Sequence, residues 1–134
     1  MTIGILTVRQ PYASCIIRGP KDVENRSRPT LYRGIIAILS ATNIFADGRA
    51  GQAARRCFGD SSIIESSQDF PRGGIIGVAE LYDVVTESPS WWFTGPFGYL
   101  LRNPHPIPFI ACSGYQQAVV SCPPAIEAEL LKHL

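Results

Sequence analysis

The chain has 134 residues, 46% hydrophobic and 17% charged, with a formal net charge of +1 at pH 7. That length holds one core but not two ordinary domains, so one domain over residues 1–134 is expected, and the composition excludes a disordered chain, which needs low hydrophobicity and high net charge. The longest apolar runs, Gly34 to Leu39 and Gly73 to Ala79, fall far short of the roughly 20 residues of a membrane helix, and the N-terminus meets Arg9 and Gln10 too early for a signal peptide, which points to the cytoplasm.

Ile3 to Val8 is short, apolar and rich in β-branched residues and reads as a first strand. Pro11 suits a first helical turn, where its missing N–H costs nothing, and Tyr12 to Arg18 supplies two turns before Gly19-Pro20 stops them. Val23 to Ser27 forms a second strand with Glu24 and Arg26 on one face, because side chains alternate with period two. Pro29 to Tyr32 makes a turn. Gly34 to Ala41 is a nearly continuous apolar run, the pattern of a core strand covered on both faces.

Ala46 to Cys57 reads as a helix ended by Gly59, and Asp60 to Arg72 as a polar loop. Ile75 to Val85 reads as a long strand in which Glu80 and Asp83, three apart, share a face only across a bulge. Trp91-Trp92-Phe93 and Gly95-Pro96 form an aromatic loop leading to Tyr99-Leu100-Leu101, with one tryptophan expected in the core and its neighbour exposed. Asn103 to Pro108 is held extended by three prolines, and Gln117 to Cys122 is a last strand. After Pro123-Pro124, Ile126, Leu130 and Leu134 recur every fourth residue, giving a C-terminal helix with Glu127 and Glu129 outward. Many short strands with few helices suggest a closed mixed or antiparallel barrel rather than a doubly wound sheet.

Four scattered cysteines, Cys15, Cys57, Cys112 and Cys122, lack the two-residue gap of metal knuckles and read as reduced, mostly buried thiols. With only His105 and His133 beside them, neither a metal nor a cofactor is expected. Charge is unevenly placed. Residues 9–33 carry six basic groups against two acids, and residues 60–87 carry six acids against one base. Such a dipole steers anions to one face unless the two segments pair with each other.

The densest polar segment holds Arg9-Gln10-Pro11-Tyr12, then Gly19-Pro20-Lys21-Asp22-Val23-Glu24-Asn25-Arg26, then Tyr32-Arg33-Gly34. Arg26 offers a planar fork of donors for phosphate or a base edge, and Lys21 is a compact charge that also serves as a base if its pKa falls. Glu24 accepts from a base amino group or holds the arginine in place; the plainer alternatives are an ion pair for Glu24 and Arg26 and a solvated turn for Lys21. Arg9 and Gln10 sit where a strand meets a helix, and Arg28 and Arg33 suit phosphate tracking or solvation. Tyr12, Tyr32, Trp91, Trp92 and Tyr99 are candidates to stack on a base. A Ser/His/Asp centre has no support, since His105 lies between prolines with no serine motif nearby.

The form Gly-x-Lys-x-x-Glu-x-Arg at Gly19 to Arg26, with Arg9-Gln10-Pro11-Tyr12-Ala13 before it, Tyr32-Arg33-Gly34 after it and Gly77-Val78-Ala79-Glu80 in a later strand, resembles the activating-signal-cointegrator homology (ASCH) domain, a relative of the RNA-binding PUA domains. The resemblance spans roughly residues 3 to 120. It implies an α+β fold, a small PUA-like mixed β-barrel flanked by short α-helices, with the signature lining a cleft. It also implies RNA or a modified nucleoside as partner, with Arg9, Gln10, Tyr12, Arg26, Arg33, Trp92 and Tyr99 as ligand-binding candidates. Some small ASCH proteins are amidohydrolases of N4-acetylcytidine and others are reported as nucleases. In the amidohydrolases a lysine works with a threonine three residues on. Lys21 matches the lysine, but Glu24 stands in the threonine's place, so hydrolysis here would have Lys21 or Glu24 activate water and Arg26 or Tyr32 stabilise the oxyanion. Binding, acyl-cytidine hydrolysis, RNA cleavage and protein interaction through the Trp91-Trp92 loop all remain open.

Overall fold

The computed structural model describes residues 3–44, 48–59, 71–115 and 119–134. Its elements run β1 (Gly4–Gln10), α1 (Tyr12–Arg18), β2 (Val23–Arg26), β3 (Gly34–Ile44), α2 (Gly48–Phe58), β4 (Gly74–Val85), β5 (Phe97–Ala111), β6 (Val120–Ser121) and α3 (Pro124–Leu131). The strands form one mixed sheet in the order β2-β5-β4-β3-β1-β6, in which only β1 and β3 are parallel. It is an α+β fold, with the sheet curled into a half-barrel and three short helices around it.

Alternation along the central strands buries both faces. Leu6 and Val8, Ile36 and Ile38, and Ile76 and Leu81 point into a core shared with Ala13 and Ile16 of α1. Ile3 and Ile5, Ala37 and Leu39, and Ile75 and Val78 point the other way, toward Leu130 of α3. That is the physical basis of the continuous apolar run from Gly34. Close packing of α1 needs Gly77, where a Cβ would fall 2.5 Å from the His105 carbonyl oxygen and 2.6 Å from Ile17 Cδ1.

Register shifts at Val78/Glu80 and Leu81/Asp83 supply the bulges that the acid spacing requires. Arg33 reaches Asp83 at 3.8 Å, an exposed ion pair between the basic and the acidic segment. The stretch Asn103 to Pro108 is continuous with β5, which pairs with β2 only from Phe97 to Leu100. Beyond that, its far side meets no other strand among the described residues, and Pro104, Pro106 and Pro108 fall there.

Several expectations need correction. Cys15 and Cys57 are not free thiols: α1 and α2 bring their Cα atoms to 5.6 Å and the two form a disulfide, a pairing that 42 residues of separation conceal. Cys112 and Cys122 are free, as expected. Glu127 does not face outward, since its Oε1 accepts the Ile3 N–H at 2.8 Å and ties α3 to the start of the sheet. Leu134 lies beyond the end of α3 and is half exposed. The expected loop falls largely outside the described residues, as do positions 46 and 47 of the expected helix and 117 and 118 of the last expected strand. Among the described residues no helix is long and apolar enough to cross a membrane.

Candidate functional site

The half-barrel is not closed by backbone pairing, and the gap between its first strand, β2, and β1 is a cleft of about 500 Å³. Thr7, Val8 and Arg9 line it from β1, Glu24 to Ser27 from β2 and the residue after it, Tyr12 from α1, Arg49 from α2, and Trp92 and Thr94 from the β4–β5 loop; Lys21 forms its floor. The volume is in the range of small-molecule sites.

Local chemistry explains how Lys21 comes to be buried. Gly19 ends α1 in the left-handed region, φ 110°, giving its N–H to Cys15 and Ile16, and the Lys21 N–H bonds back to the Cys15 carbonyl at 3.2 Å. The chain therefore turns beneath the helix instead of away from it, and Lys21 is left 3% exposed. Its ammonium donates to the Val23 carbonyl, faces Glu24 Oε1 at 3.5 Å and stands 5.3 Å from the ring centres of both Tyr12 and Trp92. Burial pulls the Lys21 pKa below its ordinary value. Glu24 pulls it back up, Arg49 adds to the lowering and Asp22 opposes it, with burial prevailing.

Glu24 and Arg26 share a face of β2, as period two requires, and pair at 3.2 Å. Arg26 Nη2 also donates to the Thr7 carbonyl across the gap, while its buried Nε has no partner among the described residues. Asn25, on the opposite face, clamps the aromatic loop. Its Nδ2 donates to the Trp92 carbonyl at 2.9 Å and its Oδ1 accepts from the Thr94 and Gly95 N–H groups at 2.8 and 3.1 Å. Trp92 is buried and Trp91 half-buried, meeting edge to face at 4.8 Å.

Of the residues singled out in the sequence, the fold gathers Arg9, Tyr12, Lys21, Glu24, Arg26 and Trp92 on one cleft. It does not bring Gln10, Tyr32, Arg33 or Tyr99 to it. Gln10 is buried and caps α1, accepting the Ser14 N–H at 2.9 Å and donating to Ser14 Oγ and the Pro71 carbonyl. Tyr32 Oη accepts the Gly4 N–H at 2.9 Å and donates to the Ile35 carbonyl, bracing β1 against β3. Arg33 is exposed and donates to the Thr30 and Tyr32 carbonyls. Tyr99 is fully buried and donates to the Arg28 carbonyl at 2.7 Å.

Two cleft residues escaped the sequence reading. Asn25 occupies an unspecified position of the signature, and its role appears only once the aromatic loop folds over β2. Arg49 reads as an ordinary helix former until Ala53 packs beside Cys15 and Trp92 and turns that face of α2 to the cleft.

A curled mixed sheet whose open seam is lined by Lys21, Glu24 and Arg26 is the architecture of one class of small domain. The ASCH domain family model matches residues 6–93, and the chain belongs to that family. It is similar to human activating signal cointegrator 1, with 29% identity over 109 residues, covering 74% of this chain and 19% of that protein, so it spans about a fifth of that relative's length. Two crystal structures of the ASCH protein of Zymomonas mobilis share the fold. A tyrosine-to-phenylalanine variant gives a TM-score of 0.63 at 17% identity over 98% of both chains, and another structure of that protein gives 0.58 at 18% identity over 96% of this chain and 93% of that one.

Proposed function

We propose that the chain is a single cytoplasmic domain that binds RNA or a modified nucleoside through one base held in the β1–β2 cleft. The observation that carries this reading is the Lys21–Glu24–Arg26 ion-pair network set beside aromatic walls in a cleft of base-accommodating size. Glu24 supplies an acceptor for an amino group, and Arg26, whose Nε has no partner among the described residues, supplies a donor. Arg9 meets phosphate or a base edge. Tyr12, half-buried, is the stacking platform, and Trp92, more deeply set, is the wall behind it.

Metal-independent hydrolysis of an N4-acylcytidine is the second reading, and the burial of Lys21 favours it. A lysine whose pKa is lowered offers a neutral amine fraction that takes a proton from water as the water attacks the acyl carbon. Arg26 then stabilises the tetrahedral oxyanion, and its collapse breaks the bond to N4 as the Lys21 ammonium returns the proton to the departing amino group, releasing cytidine and the free acid. RNA cleavage has less support, because His105 is exposed on β5 and does not line the cleft. The interaction-module reading is weakened by Trp91, whose ring is covered by arginines instead of forming an open apolar patch.

The test uses the purified chain beside Lys21→Ala, incubated with N4-acetylcytidine and with a labelled structured RNA. Salt-sensitive RNA binding without turnover is the expected result. Deacetylation lost in Lys21→Ala would make the chain an amidohydrolase, and neither binding nor turnover would overturn both readings.

A further inference from the structure

Beside the cleft, α2 carries Arg49, Arg55 and Arg56 and no acid from Gly48 to Phe58. Arg49 and Arg56 stand two turns apart, about 10 Å along the axis, yet both reach the same indole. Their guanidinium carbons lie 4.1 and 3.7 Å from the centre of the Trp91 ring. Among the described residues no carboxylate forms an ion pair with any of the three arginines. The stacking therefore orders the guanidinium planes without neutralising them, leaving edge N–H donors of Arg56 for a ligand. Arg49 also lines the cleft and Arg55 and Arg56 are exposed, so among the described residues basic groups extend from the base-sized gap out along α2.

A nucleoside has no use for such a track, because it carries no phosphate. We propose that α2 is a phosphate-tracking element and that the ligand is a single-stranded polynucleotide, one base entering the cleft while the neighbouring phosphates lie along Arg49, Arg56 and Arg55. The strand is unpaired at that point, since a gap between two β-strands admits one base and no duplex. This rests on the cleft reading above and goes further by naming the ligand class and the residues that select it.

Salt-dependent binding tests the assignment. The wild-type chain, Arg55→Gln, Arg55→Gln/Arg56→Gln and a Lys132→Gln control at the C-terminal end of α3, outside the cleft, are titrated with cytidine, with a single-stranded RNA of roughly ten nucleotides and with DNA of the same sequence. For single strands each lost phosphate contact flattens the plot of log affinity against log salt by about 0.7. The expected result is a slope shallower by about 0.7 in Arg55→Gln and about 1.4 in the double variant, for both strands, with the excess affinity of strand over cytidine reduced on the order of tenfold and the control unchanged. Because Arg55 is exposed and has no ring contact among the described residues, its single variant tests the track even if loss of Arg56 disturbs Trp91. Strand binding with unaltered slopes in the variants, or cytidine binding with no preference for a strand, overturns the track alone. Absence of both cytidine and strand binding in the wild-type chain overturns the cleft reading with it.

Discussion

Arg26 on β2 donates its Nη2 N–H to the Thr7 carbonyl on β1, although three strands separate β2 from β1 in the order of the sheet. A side chain thus bridges the two where backbone pairing does not, and the same guanidinium holds Glu24 at 3.2 Å. The cleft and the closure of the fold share one residue.

Arg26→Ala should therefore act on stability as well as on binding. It strips a partner from the partly buried Thr7 carbonyl and leaves Glu24 with Lys21 alone. Removing one partner of a buried hydrogen bond costs about 1–3 kcal/mol, so the urea midpoint should fall accordingly. Arg26→Lys, which cannot fork to both oxygens, should recover less than half of that loss. An unshifted midpoint in Arg26→Ala would show that the bridge does not hold the seam.

Lys21→Met should separate stability from function. Burial lowers the Lys21 pKa from 10.5 against the opposing pull of Glu24. The unfolded chain consequently binds more protons than the folded one between the lowered value and 10.5, and the stability contribution of Lys21 rises with pH across that window, its penalty being fully present below it. The methionine variant should be at least as stable at neutral pH, keep a Glu24–Arg26 pair and lose ligand affinity. Its advantage should shrink as denaturation is repeated toward pH 10. A gap that widens with pH would contradict the burial argument.

Tyr32→Phe should do the reverse. Loss of the hydroxyl deprives the Gly4 N–H and the Ile35 carbonyl of their partner, at a cost of about 1–3 kcal/mol. Cytidine and RNA titrations should match the wild-type chain, because Tyr32 does not line the cleft. Weakened binding in a folded Tyr32→Phe would place the residue in the site after all.

Cys122 should be chemically quiet. Burial first, then Glu127 and Cys112, push its thiol pKa up to about 11. Only the thiolate is alkylated, so iodoacetamide at about pH 8 should leave Cys122 unmodified in the folded chain and label it promptly after unfolding. Peptide mass spectrometry reads both states, and equal labelling in the two would refute the shift.

Much of the site is legible in the chain itself because its geometry is local. Glu24 and Arg26 share a face by strand periodicity, and Gly19-Pro20 marks the turn that delivers Lys21. Burial of that lysine is not legible, since it depends on where α1 packs, which Gly77 decides from a strand far along the chain. The same holds for Gln10, Tyr32 and Tyr99, polar residues that look available for a ligand but spend hydrogen bonds within the protein, each on at least one distant backbone group: the Pro71 carbonyl, the Gly4 N–H and the Arg28 carbonyl. The Cys15–Cys57 pairing and the orientation of Arg49 both follow from the contact of α1 with α2, which no sequence period encodes.

The outer half of β5 also limits what the protein can associate with. An unpaired strand edge recruits another chain by offering N–H donors at alternate residues, and Pro104, Pro106 and Pro108 have none to offer. A strand added from that side would lack those ladder bonds, so the long arm that supports the fold is a poor template for edge-to-edge aggregation.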